Sequence, residues 1–154
     1  MIDLLTSDTD LYLTDSVRAI IALEGGLYLM QLRDDKPDIF YPGYWGLFGG
    51  SIDEGEDPVD TVRRELLEEL QWEPDDVTPF ATFQVDLPHL GERKYIQMFF
   101  EASLASEKLS RLVLGEGREM RAFDPAALLR DERVVPFDAF AVWLHASRHR
   151  VRQS

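Results

Sequence analysis

An α/β fold of the α+β kind, one mixed β-sheet covered by helices, is what this sequence predicts. Three observations carry it. Apolar stretches of strand length are interleaved with only a few helical segments. The segment 57–70 has apolar residues at helical spacing and clear signals at both ends. A chain of 154 residues with 45% hydrophobic content can bury one real core. The expected organisation is a single domain over residues 1–154, with residues 1–14 as an N-terminal extension.

The elements follow in order. Residues 1–14 form a short preface with an edge strand expected at 11–13. "SVRAIIALEGGLYLMQLRD" reads as two strands around a Gly25-Gly26 turn. "KPDIFYPGYW" is a loop rich in Pro, Gly and aromatics, and "WGLFGGSI" is a short strand broken by two glycines. Asp57 then suits an N-cap, Pro58 the first helical position, and Asp60 adds a first-turn acid. Val59, Val62, Leu66 and Leu70 make one apolar stripe, and Pro74 stops the helix. "FATFQVDL" and "YIQMFFEASL" are two more strands, joined by "PHLGERK". "RLVLGEGREMRAFD", a short helix from about Pro125 and a C-terminal helix "PFDAFAVWLHASRHR" complete the chain.

Composition excludes several roles. The net charge of -13 repels phosphate backbones, so a nucleic-acid polymer is not the expected partner. A small anionic substrate stays compatible if a divalent cation bridges it to the protein. No stretch approaches the roughly 20 apolar residues of a membrane span, so no membrane partner is expected. "MIDLLTSDTDLYLTD" lacks the basic and apolar regions of a signal peptide, which makes a cytoplasmic location the default. The chain has no cysteine, which rules out disulfides and thiolate metal sites. A homodimer is compatible with all of this.

Glu65, Glu68 and Glu69 fall within five residues of the acidic helix. Like charges three or four apart repel and destabilise a helix. At 100° per residue, the four apolar residues lie within about 80° of one another, and the carboxylates share a different face. A solvated acidic face is one reading. The other is a rigid oxygen-ligand site for a hard cation such as Mg²⁺, which would relieve the repulsion.

Context bears on that choice. Gly50 is followed after five residues by Glu56, and after seven more by Arg64-Glu65-Leu66-Leu67-Glu68-Glu69-Leu70-Gln71-Trp72. This resembles the Nudix box, G-x5-E-x7-R-E-U-x-E-E-x-G-U with U apolar, at every defined position but one: Gln71 stands for its last glycine. The lead-in "WGLFGGSIDEGE" is also similar to the family's approach to the box. A glycine at 71 would close the helix in the left-handed conformation. With Gln71 there, the helix is expected to run on towards Pro74.

The resemblance implies a Nudix-type α/β/α sandwich and a hydrolase that uses Mg²⁺, with Mn²⁺ as the alternative. Such enzymes cleave nucleoside diphosphates linked to another group, by water attack at phosphorus. By resemblance, Glu65 and Glu69 are the main metal ligands, Glu68 ligates directly or through water, and Glu56 assists from the outer shell or at a further metal. The Gly49 carbonyl completes the set, and Arg64 orients a carboxylate. The general base is a box glutamate or a late-loop acid, for which Glu119 is the first choice and Glu116 the second. Among the aromatics before the box, Trp45 and Phe48 suit the core, and Tyr44 is a candidate for stacking on a base. Of the loop cations, Arg33 and Arg93 are candidates to meet substrate. His145 and His149 stand four apart with no third zinc ligand, and favour the helix C-terminus as positive groups.

The implied substrate is a small-molecule nucleotide, a nucleoside triphosphate or derivative first. Pro88, sixteen residues after Trp72, resembles a marker of ADP-ribose hydrolases, so an ADP-ribose or nucleotide-sugar hydrolase is the alternative. A non-catalytic nucleotide-sensing module is the rival of another class. The retained carboxylates of the box favour an enzyme.

Overall fold

Strand β1, Ser16–Leu23, is buried along most of its length and lies in the middle of the sheet. Its near-continuous apolar run suits a strand covered on both faces. The structure is a computed structural model that describes residue 5 and residues 7–154. A 3₁₀ turn at Glu24–Gly26 leads into β2, Tyr28–Leu32. Gly25 and Gly26 both have positive φ, the reason this reversal uses a glycine pair.

Two short strands follow, β3 at Trp45–Gly46 and β4 at Phe48–Ser51, and then helix α1 at Pro58–Leu70. Strands β5, Thr78–Asp86, and β6, Lys94–Leu104, form a long hairpin. Strand β7, Glu119–Phe123, precedes helices α2, Pro125–Asp131, and α3, Pro136–Ala146. The sheet runs β3-β2-β1-β6-β5, with β4 added to β1 and β7 to β2. β1 and β6 are parallel, and the other strand pairings are antiparallel. The expected mixed sheet is therefore present.

Alternation along β1 divides the core. Val17, Ala19 and Ile21 face α1 and meet Val62, Leu66 and Leu70. Ile20 faces the other way, towards Leu128 of α2 and Val142 of α3. Helices cover both faces, as an α/β/α sandwich requires. Asp57 caps α1 by accepting from the Val59 amide at 2.9 Å, and Pro58 opens the helix.

Several local expectations fail for identifiable reasons. Residues 11–13 form no strand. The stretch 45–52 is interrupted at Leu47 and not at its glycines, because the Leu47 amide donates to Asp138 Oδ2 at 2.9 Å. Helix α1 does not run on towards Pro74. Gln71 takes the left-handed conformation itself, φ 52°, ψ 39°, and its amide donates to the Leu67 carbonyl. That geometry costs a non-glycine residue about 1 kcal/mol. Burial of Trp72 beside Leu66 and Leu70 offsets it. The C-terminal helix is also shorter than expected: α3 stops at Ala146 and a 3₁₀ turn follows at Arg148–Arg150.

Candidate active site

Helix α1 carries the acidic cluster, and its burial is uneven. Glu69 is only 3% exposed and accepts from the Gly49 amide at 3.1 Å. On the helical wheel Glu69 lies only about 20° from Val62, so the apolar anchor draws it inward. Burial first, then repulsion from Glu65 and Glu116, pushes its carboxyl up to about 8. Glu65 is also raised, again mainly by burial. Glu68 is different: its side chain is 58% exposed.

Two glycines make room for these carboxylates. A Cβ at Gly50 would fall 2.3 Å from Glu65 Oε1. A Cβ at Gly49, where φ is 154°, would fall 2.1 Å from the Val17 carbonyl oxygen. Strand β4 thus packs tightly between β1 and α1 only because it has no side chains there.

Arg64 is the hub of the outer cluster. Its Nε donates to Glu56 Oε2 at 2.9 Å and its Nη2 to Glu56 Oε1 at 3.0 Å, a bidentate pair. Its Nη1 donates to Glu65 Oε1 at 3.0 Å and to Glu68 Oε2 at 3.3 Å. Thr61 Oγ1 donates to Glu56 at 2.7 Å. The Arg64 bond first and the Thr61 bond second hold the Glu56 carboxyl down at about 2. Arg64 therefore orients Glu56 and Glu65 together. The i,i+4 contact with Glu68 is the longest of these bonds.

The late loop supplies a carboxylate, but at Glu116. The Gly115 amide donates to the Glu69 carbonyl at 2.7 Å and the Val113 amide to the Leu70 carbonyl at 3.1 Å. These bonds dock the loop on the C-terminal end of α1, and Glu116 acts on both Glu69 and Glu65 electrostatically. Glu119 does not reach the cluster. It opens β7, whose residues Met120 and Ala122 face the α1 side. Strand alternation turns Glu119 to the opposite face, where it pairs with Arg121 Nε at 3.1 Å.

A cleft of about 690 Å³ runs from Gly49, Gly50, Glu69 and Glu116 to Arg18 and Asp138. Arg33 lines it too, and its Nε donates to the Phe40 carbonyl at 2.9 Å. Tyr44 and Arg93 are not among the lining residues. Tyr44 packs on Tyr41 and beneath the Arg133 guanidinium. Arg93 lies over the Tyr95 ring and 4.0 Å from Asp15. Trp45 and Phe48 are core residues, as expected.

Arg18 and Asp138 line the cleft, and the sequence reading missed them. The available signal was a charge inside an apolar run, in "SVRAIIAL" and in "PFDAFAVW". The histidine expectation also changes. His145 is buried between Tyr28 and Glu101, and burial lowers its pKa, which works against the cation expected at the helix end. His149 is exposed.

The donors gathered here are oxygens, the chemistry that hard divalent cations take. Among the described residues, no three carboxylate or imidazole side chains already converge tightly enough to hold an ion. Arg64 draws Glu65 and Glu68 to itself instead. Glu69, Glu65 and Glu116 nonetheless share one electrostatic neighbourhood, and this raises the Glu69 pKa. A buried carboxyl pushed upward at a cleft makes Glu69 a candidate functional residue.

Known proteins resemble this chain in both sequence and fold. A Nudix hydrolase of Pseudomonas aeruginosa is 34% identical over 98 residues, 63% of this chain and 55% of its own length. Nucleoside triphosphatase NudI of Salmonella arizonae is 41% identical over 64 residues, 40% of this chain and 44% of its own length. The chain thus spans about half the length of these curated relatives. The MutT protein of Methanosarcina mazei shares the fold, with a TM-score of 0.70 and 21% identity over 93% of this chain and 100% of that one. Among the described residues no helix is long and apolar enough to cross a membrane. The sequence profile of the NUDIX domain matches residues 13–144, and with that match over most of its length the chain belongs to the Nudix family.

Proposed function

We propose that the protein is a metal-dependent hydrolase of nucleoside diphosphate-linked compounds, acting first on a nucleoside triphosphate or derivative in a cytoplasmic setting. The observation that carries this reading is the buried Glu69 carboxylate, bonded to the Gly49 amide and repelled by Glu65 and Glu116, at one end of a cleft. The NudI relative is named a nucleoside triphosphatase, which supports the substrate class.

Glu65, Glu69 and the Gly49 carbonyl would hold Mg²⁺, or Mn²⁺, with Glu68 acting through water. The cation, when bound, neutralises phosphate charge and lowers the pKa of bound water. The chain's own groups do the rest. Arg64 keeps Glu65 in position and fixes Glu56. Glu116 is the base we assign, because the loop docked on α1 brings it to the cluster. A water oxygen bonds to one phosphorus of the bridge, and the water's proton passes to Glu116. The P–O bond on the far side breaks, and its electron pair leaves with the departing phosphate group. The products are a nucleoside monophosphate and the remaining phosphate-bearing group.

A phosphate-release screen across nucleotide classes, with Mg²⁺ and with Mn²⁺, tests the reading. Turnover of nucleoside triphosphates that Glu69→Gln abolishes is the expected result. Turnover of ADP-ribose or nucleotide sugars alone would move the protein to that branch. Nucleotide binding without any turnover would make it a sensing module.

A further inference from the structure

We propose that Arg18 binds a phosphoryl oxygen of the substrate and so decides which phosphorus of the bridge lies in line with the attacking water. The inference rests on the reading of the cleft as a diphosphate hydrolase site and names a residue that the box does not contain.

Position is the first argument. Arg18 is the register partner of Gly49 across the β1–β4 ladder. A Cβ on Gly49 would come within 2.9 Å of the Arg18 Cα. The Gly49 amide in turn holds Glu69 at 3.1 Å. Arg18 therefore stands one strand away from the proposed metal ligands and faces the same cleft. Glycines at 49 and 50 leave the space between them open.

Charge is the second. Arg18 and Arg33 both line the cleft, and each is within electrostatic reach of the other. One buried carboxylate, Asp138, serves both. With Lys36 and Asp34, which also line it, three cations against two carboxylates leave this end of the cleft positive, while Glu69 and Glu116 make the other end negative. A metal-bound diphosphate suits such a gradient: the carboxylates would hold the cation, and the arginines would meet phosphoryl oxygens.

Hydrogen bonding is the third. Asp138 Oδ2 is engaged by the Leu47 amide at 2.9 Å. Its Oδ1 lies 4.0 Å from Arg18 Nε, too far for a hydrogen bond and close enough to steer the guanidinium. Among the described residues, the one hydrogen bond that Arg18 makes from its side chain is from Nη1 to the Val17 carbonyl at 2.9 Å. A guanidinium has five N–H donors, and this side chain is 22% exposed. A structural arginine in such a position would use more of them. The donors left over suit the fork geometry of a phosphate.

The test compares wild type with Arg18→Gln, Arg18→Lys and Glu69→Gln. The measurements are Mn²⁺ thermal shift, ATP binding in Ca²⁺, kinetics on the triphosphate the screen selects, and ¹⁸O-water product analysis. For Arg18→Gln, we expect kcat/KM to fall roughly thirtyfold, the order for losing charge-assisted hydrogen bonds. The ¹⁸O label should divide between the two products instead of entering one. The Mn²⁺ shift should persist, and Arg18→Lys should recover part of the loss. Arg18→Gln with unchanged kcat/KM and a single labelled product overturns the proposal and leaves the function standing. A wild type that hydrolyses nothing, yet binds ATP in an Arg18-dependent way, supports the phosphate contact and defeats the hydrolase reading instead. If Arg18→Gln is unfolded by circular dichroism, Arg18→Lys decides. A lysine variant with wild-type binding and one labelled product then counts against a specific guanidinium role.

Discussion

Two buried ionisable residues, Glu69 and His145, lie on opposite faces of the sheet, each with its own group of neighbours. On the α1 side, burial first and then repulsion from Glu65 and Glu116 push the Glu69 pKa up to about 8, against a smaller opposing pull from Arg18. On the α3 side, His145 is set between complementary groups. Its Nδ1 meets the Tyr28 hydroxyl at 2.7 Å and its Nε2 meets Glu101 Oε2 at 2.8 Å. The Phe80 ring packs edge-on against it. The second group is satisfied within the fold, so its burial contributes to structure. The first is hydrogen-bonded too, Glu69 by the Gly49 amide and Glu65 by Arg64, but its carboxylates repel one another, and a chain retains such a cluster at a cost in stability. Like-charge repulsion, more than burial itself, separates the Glu69 group from the His145 group.

The largest expected effect breaks the α1 side of that contrast. Glu69→Gln should lower turnover by more than about a hundredfold, beyond what losing an outer-shell partner of a metal costs. Steady-state kinetics with Mg²⁺ check it. Turnover like the wild type would remove Glu69 from the ligand set.

The same substitution should raise the stability of the metal-free protein. The folded Glu69 pKa, about 8, lies above the ordinary value of 4.5. Its contribution is fully present below pH 4.5 and is lost as pH rises through 8. We expect metal-free wild type to lose stability over that window by an amount on the order of a few kcal/mol. Urea titrations across pH should show a flatter profile for Glu69→Gln, and for wild type with excess Mn²⁺.

The α3 side should answer with the opposite sign. Burial lowers the His145 pKa from 6.5, so its contribution is present above pH 6.5 and is lost as pH falls below it. His145→Ala leaves the Tyr28 hydroxyl and Glu101 without their partner and should destabilise by about 3 kcal/mol. The Mn²⁺ thermal shift should not change. A loss of metal binding in this variant would join the two groups that the structure separates.

Smaller effects sharpen the boundary. Gln71→Gly should stabilise by about 1 kcal/mol, because glycine takes the left-handed cap without strain. Thermal unfolding measures it, and a destabilised variant would mean that the Gln71 side chain does more than cap. Smallest of all is Glu119→Gln, which removes an exposed pair with Arg121 and should change stability by less than about 0.5 kcal/mol. Its kcat should be retained while that of Glu116→Gln falls at least about tenfold. The reverse order would return the base to Glu119.

Much of this was legible locally. The apolar alternation of β1, the Asp57 cap, the stripe of Val62, Leu66 and Leu70, and the spacing of the box are all short-range features. Strand and helix periodicity encode them directly. The burial of Glu69 was missed: the sequence reading sets the three carboxylates together on one face, although the wheel puts Glu69 beside Val62.

Tertiary structure decided what depends on distant chain segments. Glu116 and Glu119 are three residues apart, and no local pattern ranks them. The Gly115 amide on the Glu69 carbonyl, at 2.7 Å, brings one to the cluster, and the β7 register turns the other away. Asp138 reaches Leu47 across 91 positions, and His145 reaches Tyr28 across 117. By itself the sequence determined the family, the sheet and the acidic helix face, because those follow from spacing along one segment. The fold alone determined the cleft, its positive end at Arg18 and the loop carboxylate Glu116 brought beside Glu65 and Glu69, because each needs two surfaces to meet.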